Sequence, residues 1–161
     1  MGVLEAFLKT QTGFESFKTM LEREFAVENI LFWDECEKFR MDSSVLFMER
    51  DNREVKDSMS GADLFLAGRA KTIFDRYLAT NSLLEVNLPS ETLESYRSLF
   101  EEDYESSPRI NKDLFVEASK MILALMEANF LSRFCDMETV VWNKFVEERR
   151  ENVVLELYLN K

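Results

Sequence analysis

Three asparagines and one arginine have the chemistry to bind the backbone of another protein. Asn87 stands between two apolar residues, and Asn29 lies at the start of a strongly apolar segment. Asn129 and Arg133 follow Leu125 at intervals of four residues, a spacing that predicts one shared helical face. An amide donates and accepts hydrogen bonds at once, so such side chains can hold a polypeptide loop.

Catalysis by the usual side chains is disfavoured, because the sequence contains no histidine. Without it the chain lacks the commonest general base, the Ser-His and Cys-His nucleophile pairs, and the usual zinc ligand. The two cysteines, Cys36 and Cys135, stand among apolar residues. We therefore expect buried free thiols in a reducing cytosol.

The charge balance narrows the class of partner. A formal net charge of −11 argues against a nucleic-acid binder, which needs a basic face, and against adsorption on an anionic membrane. An acidic protein is steered best toward a partner with a basic patch.

Length and composition predict one soluble all-α domain. The chain has 161 residues, of which 46% are hydrophobic and 32% charged, and only 4 Gly and 2 Pro. It shows no signal peptide, no apolar run that spans a bilayer and no myristoylation signal, so we expect an intracellular protein.

Apolar periodicity predicts helices in the first half of the chain. A short helix over Val3–Leu8 precedes a capping box at Thr12–Glu15, which opens a second helix. Glu28–Phe39 is apolar around much of its circumference, which predicts a buried helix. Met41–Ser60 is charged and contains helix breakers, so a loop is expected there, with a marginal helix near Val45–Val55.

The second half also reads as helical. A further capping box at Ser60–Asp63 opens a long helix, Pro89 suits the first turn of the next, and Leu114–Phe134 is strongly helical. A last helix runs from about Met137 toward Tyr158. The residues expected to bury one face of this last helix are Val140, Val141, Trp142, Phe145, Val146, Val153 and Leu157.

Four blocks of sequence, in order, resemble the RGS family, the regulators of G-protein signalling. They are Glu24–Trp33 with Cys36–Phe39, Ala70–Tyr77, Glu85–Leu88, and Leu125–Glu127 with Arg133-Phe134. The first resembles the family's Glu-Asn, Phe-Trp and Cys-Glu hallmark, and the third its Val-Asn-Leu connection. The resemblance as a whole covers roughly Leu4 to Val146.

The resemblance implies a bundle of about nine helices forming a single RGS domain over 1–161, with a core of about 4–146 and an extended C-terminal helix. It implies a GTPase-activating protein for the α subunit (Gα) of a heterotrimeric G protein, with no active site, metal or cofactor of its own. The partner would be GTP-bound Gα, with no nucleic acid, and with the membrane reached only through Gα or flanking domains. A cytoplasmic location follows, with recruitment to the inner face of the plasma membrane.

By the same resemblance, ten residues would contact Gα: Phe25, Glu28, Asn29, Glu85, Asn87, Ser90, Leu125, Asn129, Phe130 and Arg133. Some of them have a structural alternative. Glu28 and Asn29 could only begin a helix, and Asn87 could only make a turn. Arg133 could be a solvated charge or pair with Glu127 or Asp136.

Some positions depart from the family pattern. Asn129-Phe130 replaces the usual Asp-Ser, in which the Asp holds the Arg. Pro89 replaces an acidic residue, and Ala26 replaces a Ser that caps a helix. Phe130 could turn inward as part of the core or press on the Gα switch, and either outcome could narrow the choice of Gα or weaken the acceleration of its GTPase.

Two other classes compete with GTPase activation. The first is an RGS-homology docking scaffold without activating ability, as in some kinases, axins and sorting proteins. The second, a carboxylate di-metal enzyme in a helix bundle, needs Glu-x-x-His ligands that a chain without histidine does not have.

Overall fold

A computed structural model describes residues 1–51 and 61–160 of the chain. These residues form helices and turns with no β-strand among them, which confirms the predicted all-α class. No helix in these two ranges is both long enough and apolar enough to span a bilayer. The α-helices are α1 (Val3–Leu8), α2 (Gln11–Arg23), α3 (Glu28–Asp51), α4 (Gly61–Tyr77), α5 (Ser90–Glu101), α6 (Val116–Met126), α7 (Ser132–Met137) and α8 (Thr139–Leu159).

Helices α6 and α7 belong to one rod. They are joined by a turn of π-helix at Glu127–Leu131, and the residues flanking this turn, Met126 and Ser132, keep right-handed helical dihedrals. Counted as one rod, this segment brings the described part of the chain to 7 separate helices, so the expected number of about nine is not confirmed.

The chain divides into two compact units, Met1–Val27 with Leu125–Lys161, and Glu28–Ala124. The core of the first unit is a cluster of rings around Phe7. The Phe7 ring centroid lies 5.4 Å from that of Phe134, 5.0 Å from Trp142 and 5.1 Å from Phe145. This cluster joins α1 to α7 and α8, and buried aromatic pairs at such distances are favourable beyond the area they bury.

The second unit has its own aromatic core. Phe39 on α3 and Tyr96 on α5 both pack on Phe115, with ring centroids 5.3 and 5.6 Å away. The Tyr96 hydroxyl donates to the Leu114 carbonyl at 2.8 Å, so its polar end is satisfied inside the core. Phe74 and Phe100 stack at 4.5 Å and hold α4 against α5.

The turn between α1 and α2 differs from the predicted capping box. Thr10, not Thr12, caps α2, because its hydroxyl accepts from the Gly13 N–H at 3.0 Å and donates to the Phe7 carbonyl at 2.7 Å. A β-carbon on Gly13 would lie 2.0 Å from the Phe7 carbonyl oxygen, so the close turn requires glycine.

The prediction of a loop over Met41–Ser60 is wrong for residues 41–51. Helix α3 continues without a break to Asp51, so the marginal helix near Val45–Val55 is the end of a long helix as far as it is described. The rest of that stretch, with Ser60 of the second capping box, lies outside the described residues, and α4 begins at Gly61. Pro89 precedes α5 as its N-cap instead of lying in its first turn.

The apolar face predicted for α8 is only partly buried. Trp142 and Phe145 pack on Phe7, as their types suggest. Val140 is 82% exposed and Leu157 66% exposed, and Val146 and Val153 are also exposed. The helix therefore carries apolar residues that nothing in the described chain covers.

The two thiols are free, and we expect them to react at different rates. Cys36 is buried on α3, where burial and the neighbouring Glu35 and Glu37 carboxylates raise the pKa of its thiol. Cys135 is half-buried, and burial together with the Asp136 carboxylate raises the pKa of its thiol less than that of the Cys36 thiol. Since the thiolate is the nucleophile, N-ethylmaleimide at neutral pH should label Cys135 first. Peptide mass spectrometry over time tests this, and labelling of Cys36 at an equal rate would contradict it.

Candidate functional site

The ten predicted site residues fall into two sets, one in each unit. The first unit carries Phe25, Leu125, Asn129, Phe130 and Arg133. The second carries Glu28, Asn29, Glu85, Asn87 and Ser90.

In the second unit, Asn87 lies in the connection between α4 and α5, on a backbone anchored on either side. Its neighbours Val86 and Leu88 are buried. The Val86 N–H donates to the Tyr77 carbonyl at 3.0 Å, which ties the connection to the end of α4. Asn81 has a φ of 64°, the left-handed conformation that asparagine tolerates, and it turns the chain between these anchors.

The Asn87 side chain is exposed, and no hydrogen bond holds it within the described part of the chain. Because its two neighbours point inward, the amide is presented on a fixed backbone with its donors and acceptor available. Glu85 nearby is held by Arg97, whose guanidinium lies 3.3 Å from the Glu85 carboxylate and also donates to the Leu78 carbonyl. Ser90, at the first position of α5, is exposed.

Tyr77 connects this loop to α3. Its ring packs on Phe32 at 5.5 Å, and its hydroxyl donates to the Glu35 carboxylate at 3.2 Å. Burial and the Glu35 charge raise the pKa of Tyr77 to about 12, so the phenol stays protonated and keeps that bond at neutral pH. The carbonyl that anchors Val86 is therefore on a well-held residue.

Asn29 differs from the exposed amide that sequence reasoning expects. It lies in the first turn of α3 and is only 5% exposed, whereas Glu28 beside it is half-buried. A side chain this buried can position its neighbours, and it offers little surface to a partner.

In the first unit, Phe25 is held in an unusual conformation. It follows α2 with a φ of 55°, in the left-handed region that glycine usually occupies at a helix end. The Ala26 N–H donates to the Leu21 carbonyl at 2.9 Å and the Phe25 N–H to the Glu22 carbonyl at 3.3 Å, the pattern of a Schellman motif. The Phe25 side chain is 93% exposed, so the motif presents an aromatic ring to solvent.

Arg133 is fixed by three contacts within the same unit. Its guanidinium lies 2.8 Å from the Glu24 carboxylate, donates to the Asn129 carbonyl at 3.0 Å, and stands over the Phe130 ring at 5.4 Å. The alternative partners Glu127 and Asp136 are thus not the ones it uses. We call Glu24, Phe25, Asn129, Phe130 and Arg133 the guanidinium cluster.

The backbone of this cluster includes the π turn. Asn129 and Phe130 both lie within Glu127–Leu131, where one residue more is accommodated per turn than in an α-helix. Asn129 and Arg133 are exposed, while Phe130 and Leu125 are half-buried. Neither the π turn nor the role of Glu24 was found by sequence reasoning, although Glu24 opens the first of the four resembling blocks.

These groups can bind a polypeptide by hydrogen bonds, charge and aromatic contact. No group of three or more His, Cys, Asp or Glu side chains in the described ranges could hold a metal ion.

The sequence model of the family described as "Regulator of G protein signaling domain" matches residues 3–141. This chain belongs to the RGS family.

Curated relatives agree with that assignment. The chain is similar to "Regulator of G-protein signaling loco" of Drosophila melanogaster, with 31% identity over 94% of this chain and 8% of that protein. It is 32% identical to "Regulator of G-protein signaling 5" of Mus musculus over 84% of this chain and 61% of that protein. With "Regulator of G-protein signaling 21" of Homo sapiens the identity is 26% over 91% of this chain and 79% of that protein. The chain thus spans less than two thirds of the first two relatives.

The names of the matching family and of these relatives all refer to the regulation of G-protein signaling. Asn129 stands where the family pattern leads us to expect an Asp that holds the arginine. In this structure the Glu24 carboxylate, at the end of α2, pairs with Arg133 instead.

Proposed function

We propose that this RGS domain is a GTPase-activating protein that holds the switch regions of Gα in their transition-state conformation. The observation that carries the proposal is the presentation of Asn87. Its exposed amide stands on a backbone fixed by Val86, Leu88 and Tyr77. A rigid amide can satisfy a loop backbone in one geometry and leave it unsatisfied in another.

Such selectivity is sufficient for acceleration without a catalytic side chain. An interaction stronger in the transition state than in the GTP-bound ground state lowers the barrier, and about 2.7 kcal/mol corresponds to about a hundredfold in rate. The Gα subunit supplies its own arginine finger and its own water-positioning glutamine. The RGS domain contributes binding energy that is available only in the reactive geometry.

The guanidinium cluster would contribute a second set of contacts to Gα. Arg133 is held by an ion pair, a backbone acceptor and an aromatic ring, so little side-chain entropy remains to be lost on binding. Phe25 offers an exposed ring, the kind of residue that commonly anchors an interface.

Single-turnover hydrolysis of GTP by purified Gα tests the proposal. We expect the domain to accelerate the reaction and to bind Gα·GDP with aluminium fluoride, a mimic of the transition state, more tightly than Gα·GDP. The activity would be refuted if the domain accelerated GTP hydrolysis by no Gα class and showed no preference for the mimic.

A docking scaffold without activating ability is the second candidate, and the Asn129-Phe130 pair favours it. Phe130 places a half-buried ring where the family usually has a small hydroxyl, and Asn129 lacks the usual charge. If the domain bound Gα tightly, but with equal affinity for the mimic and for the GDP form, this function would be favoured over activation.

We further propose that both units make up one RGS domain with an extended C-terminal helix, because the family match runs through both. The domain would act in the cytoplasm and reach the inner face of the plasma membrane through Gα.

Replacing Phe25 with glycine should weaken Gα binding and stabilise the fold. Glycine adopts a φ of 55° without the strain that a β-carbon causes, a gain of about 0.5–1 kcal/mol that thermal unfolding detects as a rise in Tm. The exposed ring is lost as a contact, so the Kd for the Gα mimic should rise about tenfold. Phe25→Ala is the control, because it removes the ring and keeps the strained backbone. If Phe25→Gly bound Gα as tightly as the wild type, the ring would have no role in recognition.

Replacing Glu24 with glutamine should release Arg133 with little change in stability. The ion pair is partly exposed, because the Arg133 side chain is 55% accessible and that of Glu24 is 25% accessible. The free energy of unfolding should therefore change by less than about 0.5 kcal/mol. The Kd for the Gα mimic should rise about fivefold, because the guanidinium must then be ordered on binding.

Two variants make the Glu24 experiment specific. Glu22→Gln alters an exposed glutamate on the same helix and should leave Gα binding unchanged. Asn129→Asp in the Glu24→Gln background should restore binding, because a carboxylate at 129 can hold the arginine in place of Glu24. Equal weakening by both glutamine variants, or no rescue, would remove Glu24 as a positioning residue.

A further inference from the structure

Among the described residues, helix α8 packs on the rest of the first unit along one side. Trp142 and Phe145 pack on the Phe7 ring at 5.0 and 5.1 Å, and the Arg149 guanidinium donates to the Met1 carbonyl at 3.2 Å. These anchors follow one another at intervals of three and four residues, which places them on one helical face.

A second face of α8 has the same periodicity, and no residue of the described ranges covers it. Six exposed residues lie along it at intervals of three, four, three, four and three, a heptad pattern that we call the outer stripe. They are Val140, Asn143, Glu147, Arg150, Val154 and Leu157. At about 100° per residue, the middle of this stripe lies more than a quarter-turn from the anchored face.

We propose that the outer stripe binds the same stripe of a second copy of this chain, with the two α8 helices antiparallel. The pattern is symmetric in the manner that a twofold axis between residues 148 and 149 requires. Val140 then faces Leu157 of the second copy, Asn143 faces Val154, and Glu147 faces Arg150. Each contact occurs twice, as in an isologous interface.

The charges select this arrangement over the parallel one. In the antiparallel register the Glu147 carboxylate meets the Arg150 guanidinium of the second copy at both central positions. In a parallel pair, Glu147 would face Glu147 and Arg150 would face Arg150, and like charges placed opposite each other are destabilising. Polar central layers fix the register. The outermost layers, in which Val140 faces Leu157, and the Val154 side chains that face Asn143 supply buried apolar area.

A groove on α8 overlaps the outer stripe. It is lined by Glu147, Arg150 and Val154 of the stripe, together with Glu151, Leu155 and Tyr158. Helix α8 has 21 residues and is about 31 Å long, enough for all six layers. Most of it lies beyond residue 141, where the family match ends, and outside the residues proposed to contact Gα.

Sedimentation equilibrium of the full chain over a concentration series tests the pairing. We expect a reversible monomer–dimer equilibrium for the wild type. Glu147→Lys places two lysines opposite two arginines and should raise the dimer Kd at least about tenfold. Glu148→Lys makes the same charge change off the stripe and should leave the Kd within about twofold. The double variant Glu147→Lys/Arg150→Glu restores opposite charges and should recover dimerisation.

Crosslinking tests the orientation. In a Cys135→Ser background, a short bismaleimide should join the Val140→Cys variant to the Leu157→Cys variant when the two are mixed, because these positions face each other only in the antiparallel pair. The Val154→Cys variant should crosslink poorly in the antiparallel register and efficiently in a parallel one.

A wild type that stays monomeric over the whole concentration range overturns the proposal. So do an equal effect of Glu147→Lys and Glu148→Lys, failure of the double variant to recover, and efficient crosslinking of Val154→Cys. Gα acceleration measured on the same variants is expected to be unchanged, which keeps failure of this inference separate from failure of the proposed activity.

Discussion

Replacing Asn87 with alanine should lower GTPase acceleration by about a hundredfold and leave the fold unchanged. The side chain is exposed and makes no hydrogen bond within the described ranges, so its removal costs the free protein little. In the complex, the loss of a rigid amide leaves buried polar groups of the Gα loop unpaired. Single-turnover hydrolysis gives the rate, and thermal unfolding followed by circular dichroism gives the stability.

The binding preference distinguishes this role from a general contact. Asn87→Ala should reduce affinity for the aluminium fluoride mimic far more than affinity for Gα·GDP, because the interaction belongs to the transition-state geometry. Asn160→Ala, an exposed asparagine at the end of α8, serves as the control and should behave as wild type. Full acceleration by Asn87→Ala would show that the proposed mechanism rests on the wrong residue.

The presentation of Asn87 could be predicted because it depends on local sequence. Apolar residues on both sides of one polar residue indicate alternating burial, and Val86 and Leu88 are buried as that pattern suggests. The all-α class was predictable for a similar reason, since helical periodicity is a local property.

The contacts of Arg133 could not be predicted in the same way. Candidate partners nearby in the sequence were Glu127 and Asp136, yet the observed carboxylate belongs to Glu24, in the first part of the chain. The π turn that carries Asn129 and Phe130 has no recognised residue pattern, so sequence spacing treats the whole segment as α-helix.

Helix α3 shows how packing overrides local breakers. Asp42, Ser43 and Ser44 suggest a loop, but the helix passes through all three. The Ser44 hydroxyl donates to the Arg40 carbonyl at 2.9 Å, and Asp42 forms an ion pair with Arg69 on α4. The Ser44 and Asp42 side chains thus find partners that do not interrupt the backbone ladder. The buried Ser43 hydroxyl has no hydrogen-bond partner among the described residues.

For α8, the periodicity of the sequence predicts which residues share a face of the helix. It does not predict whether another element covers that face. The ring contacts of Trp142 and Phe145 account for the buried side. The outer stripe follows an equally regular pattern while remaining exposed, which is why the predicted burial of Val140 and Leu157 was wrong.

Replacing Phe7 with alanine should destabilise the protein by about 3–5 kcal/mol, the usual cost of removing a buried phenylalanine. Phe7 is 1% exposed and lies between Phe134, Trp142 and Phe145, so no neighbour can fill the space without losing its own contacts. Thermal unfolding followed at 222 nm should show a drop in Tm of about 10 °C or more.

The same substitution connects the core to the proposed function. Phe134 follows Arg133 directly, so a cavity beside its ring loosens the segment that carries the guanidinium cluster. Gα binding by Phe7→Ala should therefore weaken even at temperatures where the protein remains folded. Phe65→Ala is the matched control, because that ring is 57% exposed on α4 and its loss should change stability by less than about 0.5 kcal/mol. A Phe7→Ala protein as stable as this control would show that the ring cluster does not hold the first unit together.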